Sequence, residues 1–148
     1  MSAEDNKALL RRLMDECFTQ GNLALVDELF APDWVNNDPS LPELRGRDGA
    51  RQLIALWRNA FADLRVTIDD MVAEGEKVAG HFTIVGTHQG DLMGIAPTGK
   101  QVTATGTGIF RFANGMDVEH TVNFDALGLM QQLGAIPAPG QQPTPATA

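Results

Sequence analysis

His81, His88, His120 and Asp125 are the side chains whose type and placing could move a proton in this chain. An imidazole has a reference pKa of about 6.5, and burial disfavours its cation, so a histidine on an apolar face is a candidate general base. Strand alternation sorts the three. In the segment DVEHTVNFD, Val118, His120, Val122 and Phe124 share one face, while Asp117, Glu119, Thr121, Asn123 and Asp125 share the other. In VAGHFTIVGTH, Val78, Gly80, Phe82, Ile84, Gly86 and His88 share a face, and His81 falls on the opposite one. His88 and His120 are therefore expected to point toward the apolar interior, either as bases or as core histidines satisfied by backbone carbonyls. Asp125 directly precedes ALGLMQQLG, where it can cap a helix or serve as a carboxylate at a cavity mouth. Asn36, Asn37 and Asp38 follow an aromatic residue in an irregular stretch, where a polar group could enter a pocket or close an Asx-turn with Pro39.

Several chemistries find no support. The three histidines lie in separate segments without zinc-ligand spacing, so no metal is expected. No glycine-rich phosphate loop or nucleophile elbow occurs, and no cofactor is expected. The glycines of GTGIF lie inside a strand pattern and read as points of curvature or close packing. Cys17, the single cysteine, falls among apolar residues at helical spacing and reads as inert core.

The elements that must position these groups follow from periodicity. Leu9, Leu10, Leu13, Met14, Cys17 and Phe18 recur at intervals of three and four on one helical face, with Ser2 and Asp5 as an imperfect capping signal. LALVDELFAP predicts a second short helix stopped by Pro32, and a short extended piece follows around Trp34 to Asn36. A third helix is predicted from about Asp48 to Ala62, with Leu53, Ile54, Trp57 and Phe61 facing inward. After Asp63 the period changes to two. A break or bulge is expected near Asp69-Asp70, hairpin turns at EGEK and ANGM, and a short terminal helix after Asp125. Helices followed by antiparallel strands imply an α+β fold in which a curved sheet wraps over the helices and encloses a small-molecule cavity. Residues 1–134 read as one domain and 135–148, rich in Pro, Ala and Gln, as a flexible tail.

Composition narrows the partners. The chain has 148 residues, 43% hydrophobic and 20% charged, with a net charge of −8. Its basic residues are scattered, so nucleic acid is not an expected partner. No apolar run reaches membrane-spanning length and no signal-peptide pattern opens the chain, which makes a cytoplasmic address the expectation.

The stretch VGTHQGDLMGIAPTGKQV, taken with IFRFANGMDVEHTVNFDALGLMQQLG, resembles the SnoaL-like polyketide cyclase (ester cyclase) family of the nuclear transport factor 2-like superfamily. The resemblance runs from about Lys7 to Gly134. It implies a cone-shaped α+β fold, homodimerisation, and an intramolecular aldol condensation carried out without cofactor or metal. It also implies an aspartate as acid/base, matched by Asp125, and a site histidine, matched by His88. The family's early segment often has a histidine before Asp-Pro, where this chain has Asn37. The resulting expectation is a cyclase or isomerase of an apolar carbonyl compound, with Asp125, His88 and His120 catalytic. Trp34, Asn37, Trp57, Phe82, Met93 and Phe124 are the expected substrate contacts, and Leu92, Met93 and Ile95 are expected to lie over the entrance. Two alternatives use the same cone. One is a non-catalytic ligand-binding dimer, and the other a small hydrolase resembling limonene epoxide hydrolases, which needs an Asp–Arg–Asp arrangement that Arg111 would serve.

Overall fold

The computed structural model describes residues 2–140. Most of the proposed tail, residues 141–148, lies outside the described residues. Helix α1 (Ala3–Arg12) begins in a full capping box: the Ser2 side chain accepts from the Asp5 amide, and Asp5 accepts from the Ser2 amide. It runs directly into a π-helical segment (Leu13–Thr19) that buries Leu13, Met14, Cys17 and Phe18. Arg58 holds the end of this segment, donating from Nη1 to the carbonyls of Phe18 (3.3 Å) and Thr19 (2.5 Å). A short 3₁₀ turn (Leu23–Leu25) and α2 (Val26–Leu29) follow, and then strand β1 (Phe30–Asn37). Pro32 thus lies inside a strand and does not terminate a helix. The helix ends earlier, at Phe30, whose backbone is already extended and whose ring is fully buried. β2 (Leu44–Arg45) leads into α3 (Gly46–Ala60), whose buried face includes Leu53, Ile54 and Trp57 as its periodicity requires.

Four long strands complete the sheet: β3 (Arg65–Glu74), β4 (Lys77–Thr87), β5 (Gln101–Ala113) and β6 (Met116–Phe124), before α4 (Ala126–Leu133). The strand order is β2-β1-β6-β5-β4-β3. Every pairing is antiparallel except β1–β6, which is parallel, so the sheet is mixed and not purely antiparallel as expected. The chain reaches β6 from β1 only after β2, α3 and three further strands, which delivers β6 beside β1 in the same direction. Burial alternates along β4, β5 and the second half of β6, marking one face as core.

Three register shifts interrupt this sheet, one in the β1–β6 pairing between Phe30 and Val35 and two that place an extra residue in β3 and in β6. In β3, Asp69 is the extra residue between Ile68↔Phe82 and Asp70↔His81, within the Asp69-Asp70 pair where the sequence suggests a break. In β6, Val118 is extra between Phe112↔Asp117 and Arg111↔Glu119. No composition signal marks the second bulge. It reverses the alternation before Val118, so Asp117 and His120, three residues apart, are both buried.

Gly106 permits close approach at the centre of the sheet. A Cβ there would lie 2.4 Å from Phe82 Cζ and 3.0 Å from Phe124 Cβ. Gly106→Ala is expected to destabilise the fold by about 1–3 kcal/mol through overpacking. Urea unfolding monitored by circular dichroism checks this, and an unchanged midpoint would show that both rings move aside freely.

Candidate functional site

The sheet's concave face, the π-helical segment and α3 enclose a cavity of about 50 Å³. Its walls are largely apolar, formed by Met14, Phe18, Leu53, Trp57, Phe82, Ile84, Phe110 and Phe124 among others. Three polar side chains enter it: Asn36 and Asp38 from β1 and the turn after it, and His120 from β6. Asn36 and His120 are register partners across the parallel β1–β6 pair, and neighbouring strands lie about 4.8 Å apart. The mixed topology is therefore what brings the two groups together.

His120 is nearly inaccessible and is bonded through Nε2 to Asp117 Oδ2, itself fully buried. Burial pushes the Asp117 carboxyl above the usual carboxylate range, opposed by the charge and hydrogen bond of His120 and by the Glu119 amide, which donates to Oδ1 at 3.2 Å. The Trp34 indole N–H favours the charged form of Asp117 without meeting full hydrogen-bond geometry. Three rings fix the imidazole: Phe110 (centroids 4.8 Å apart) and Trp34 (5.0 Å) edge-on, and Phe30 (6.0 Å) tilted. Because Nε2 is taken by Asp117, Nδ1 is the ring nitrogen left without a partner among the described residues.

Asn36 is buried, and its Nδ2 has no hydrogen-bond partner among the described residues. An unsatisfied buried amide is costly, and in a cavity wall it is a donor available to an incoming oxygen. Asp38 is also buried, which raises its carboxyl above the ordinary value of 3.8, while the Ser40 amide, donating to Oδ1 at 2.9 Å, acts in the other direction.

The other expected site residues are distributed differently. Trp57, Phe82 and Phe124 line the cavity, whereas Trp34 lies behind His120 in the core. Asn37 is exposed and donates to Glu119 Oε2 at 2.8 Å, so the polar groups entering the cavity are its neighbours Asn36 and Asp38. Alternating side chains on a strand explain the difference. Asp125 is exposed and caps α4, accepting from the Gly128 amide at 2.9 Å. It is not among the residues lining the cavity.

His88 is fully buried as its parity implies, but it holds a loop and does not line the cavity. Its Nδ1 accepts from the Thr98 amide (3.2 Å) and meets Thr98 Oγ1 (3.0 Å), while its backbone bonds Lys100 and Gly99. The loop between these residues packs against the end of α3, where Gln89 and Gly90 donate to the Ala60 carbonyl. Leu92, Met93 and Ile95 are not among the cavity residues; Leu92 is buried in the core and Met93 is partly exposed with φ of 50°. Arg111 lies on the outer face beside Glu119 (3.5 Å), and among the described residues no arginine lines the cavity, so none forms an Asp–Arg–Asp arrangement there. His81 is exposed on that same outer face, against Thr107. Among the described residues no group of three or more His, Cys, Asp or Glu is placed to hold a metal ion, and no helix is long and apolar enough to cross a membrane.

Asp117 is the residue that sequence reasoning misses. Parity assigns it to the outer face, and only the extra residue at Val118 turns it inward. An aspartate three residues before a core histidine is the sole local hint.

The raised Asp38 carboxyl has a testable sign. As pH rises from 3.8 toward the raised native value, the unfolded chain releases its proton before the native state does, so stability falls across that window. Asp38→Asn keeps an acceptor for Ser40 and removes the buried charge. Its melting temperature is expected above that of the wild type at pH 7, the gap closing as pH falls below 3.8. A variant less stable than wild type at pH 7 would contradict this.

Comparison with known proteins agrees with the architecture. Residues 8–133 match the SnoaL-like polyketide cyclase family. The aklanonic acid methyl ester cyclase DauD of Streptomyces sp. (strain C5) is 27% identical over 130 residues, covering 85% of this chain and 80% of that one. The nogalonic acid methyl ester cyclase of Streptomyces nogalater is 27% identical over 125 residues, covering 82% and 92%. The structure of TsrD from Streptomyces laurentii superposes with a TM-score of 0.82 at 28% identity, covering 92% of this chain and 99% of that one. A hypothetical protein with a ketosteroid isomerase-like fold from Catenulispora acidiphila DSM 44928 shares the fold, with a TM-score of 0.72 at 16% identity, covering 85% of this chain and 92% of that one. With a curled mixed sheet over its helices and a match across residues 8–133, the chain belongs to the SnoaL-like polyketide cyclase family.

Proposed function

We propose that the chain is a cytoplasmic, cofactor-independent cyclase that closes a ring in a polyketide-like carbonyl compound, with His120 as the base. The observation that supports this most directly is the buried His120–Asp117 pair beside the unpartnered Asn36 amide on an apolar cavity. His120 Nδ1 removes a proton α to a carbonyl, and Asp117 steadies the imidazolium that forms, a division of labour familiar from histidine–carboxylate pairs. Asn36 Nδ2–H donates to the developing enolate oxygen. The enolate carbon then attacks a second carbonyl of the same molecule, forming the C–C bond and an alkoxide. The His120 imidazolium then returns the abstracted proton to the alkoxide, which leaves His120 neutral for the next turnover. Atoms balance, so product and substrate are isomers.

Asp125 and His88 have a capping role and a loop-holding role in this reading. The polar groups in the cavity favour chemistry over passive ligand binding. A homodimer is also proposed, through the outer sheet face that carries exposed Ile109, Thr121 and Asn123. Light scattering giving only the monomer mass at micromolar concentration would remove that part.

The names of the relatives supply the trial substrates. Aklanonic acid, nogalonic acid and their methyl esters are incubated with the purified protein, and chromatography with mass detection follows a product of unchanged mass. His120→Gln is expected to lower kcat by about 10²–10⁴-fold, and Asp117→Asn by a similar order. Turnover unaffected in folded His120→Gln would exclude His120 as the base. Failure to convert any of the compounds would remove this substrate class.

A further inference from the structure

The inner cavity opens beside a second, polar depression of about 420 Å³, lined by Arg11, Asp15, Thr19, Arg65, Thr67 and Ile68. Met14 and Val66 line both, so the apolar cavity and the groove adjoin at these two side chains. The π-helical segment makes this possible. Its wider turn aims Met14 and Phe18 into the cavity and presents Asp15 and Thr19 to the groove. The cavity alone is far too small for a multi-ring compound, whereas the groove is several times larger.

The charges in the groove are unusual for a chain of net charge −8. Arg12, Arg45, Arg47, Arg51 and Arg111 all pair with carboxylates. Arg11 and Arg65 are exposed, and their side chains carry no hydrogen bond or ion pair among the described residues. Asp15, the one carboxylate lining the groove, accepts from Gln20 at 3.0 Å. Asp63, close to Arg65, accepts from the Thr87 amide and hydroxyl with its two oxygens. Two arginines thus face one carboxylate at the threshold of an apolar cavity.

We propose that this groove is the outer half of the substrate site and receives an anionic group, a carboxylate, while the reacting carbonyl end passes Met14 into the cavity. The substrate class that follows is an amphiphilic keto acid, bound as the free acid in preference to its methyl ester. Met14 is buried and unbranched, with rotatable bonds that let it swing from between the two compartments. The proposal rests on the cyclase reading for what happens in the cavity, but the recognition of charge in the groove is independent of the chemistry.

The test is calorimetric binding of 4-phenylbutyrate and of its methyl ester to the full chain. The acid is expected to bind on the order of fivefold more tightly, as for an exposed ion pair. Salt at about 0.5 M should erase that advantage. Arg11→Gln/Arg65→Gln should erase it as well, leaving ester binding unchanged, whereas Lys77→Gln, on the β3–β4 hairpin, should preserve it. Equal affinities, no binding of either compound, or a preference that survives the double substitution would overturn the proposal. The same measurements on His120→Gln separate the two readings. Retained acid preference in an inactive His120→Gln supports both, while retained preference together with undiminished turnover defeats only the catalytic assignment.

Discussion

The buried contact between His120 and Asp117 is the interaction around which the interior is arranged. A carboxylate and an imidazole are both expensive to desolvate, and each is tolerable here only because the other is present. Phe110, Trp34 and Phe30 surround the imidazole, so it has little freedom to turn. The pair exists because of one extra residue in β6. Without the bulge at Val118, Asp117 would face solvent and His120 would be an isolated core histidine.

The mixed sheet has a second consequence. Parallel pairing of β1 with β6 sets Asn36 beside His120, joining an amide and an imidazole that lie more than eighty residues apart in sequence. Asp38 follows where β1 ends, close enough for its turn with Ser40 to be part of the cavity wall. The polar lining therefore comes from one strand junction, and the remaining strands with α3 supply apolar walls. Glycine at position 106 lets Phe82 and Phe124, both cavity residues, pack close against the sheet there.

The long loop after β4 contributes to this arrangement at a distance. His88 anchors it by accepting the Thr98 amide, and the loop seals the end of α3. Trp57 and Leu53, on that helix, are cavity residues, so the loop helps to fix a wall without touching the space itself. Its glycines and proline shape the connection, and His88 ties its two ends together through Thr98, Gly99 and Lys100.

The sequence by itself determined the elements and the family. Helical periodicity marks α1, the π-helical segment and α3, and period-two alternation marks β3 to β6, because each pattern records which side chains must leave water. Parity also turned His120 and Phe82 inward and His81 outward, and the Ser2–Asp5 capping signal and the Asp69-Asp70 irregularity were both visible locally. Tertiary structure decided which side chains meet at the cavity. The bulge at Val118 is invisible to a count of alternating residues, since a single insertion reverses parity without changing composition. Strand order is a long-range choice, so the meeting of Asn36 with His120 could not be read along the chain. Asp125, which the sequence leaves open between cap and acid, caps the helix that begins immediately beyond it and needs an acceptor for its amides.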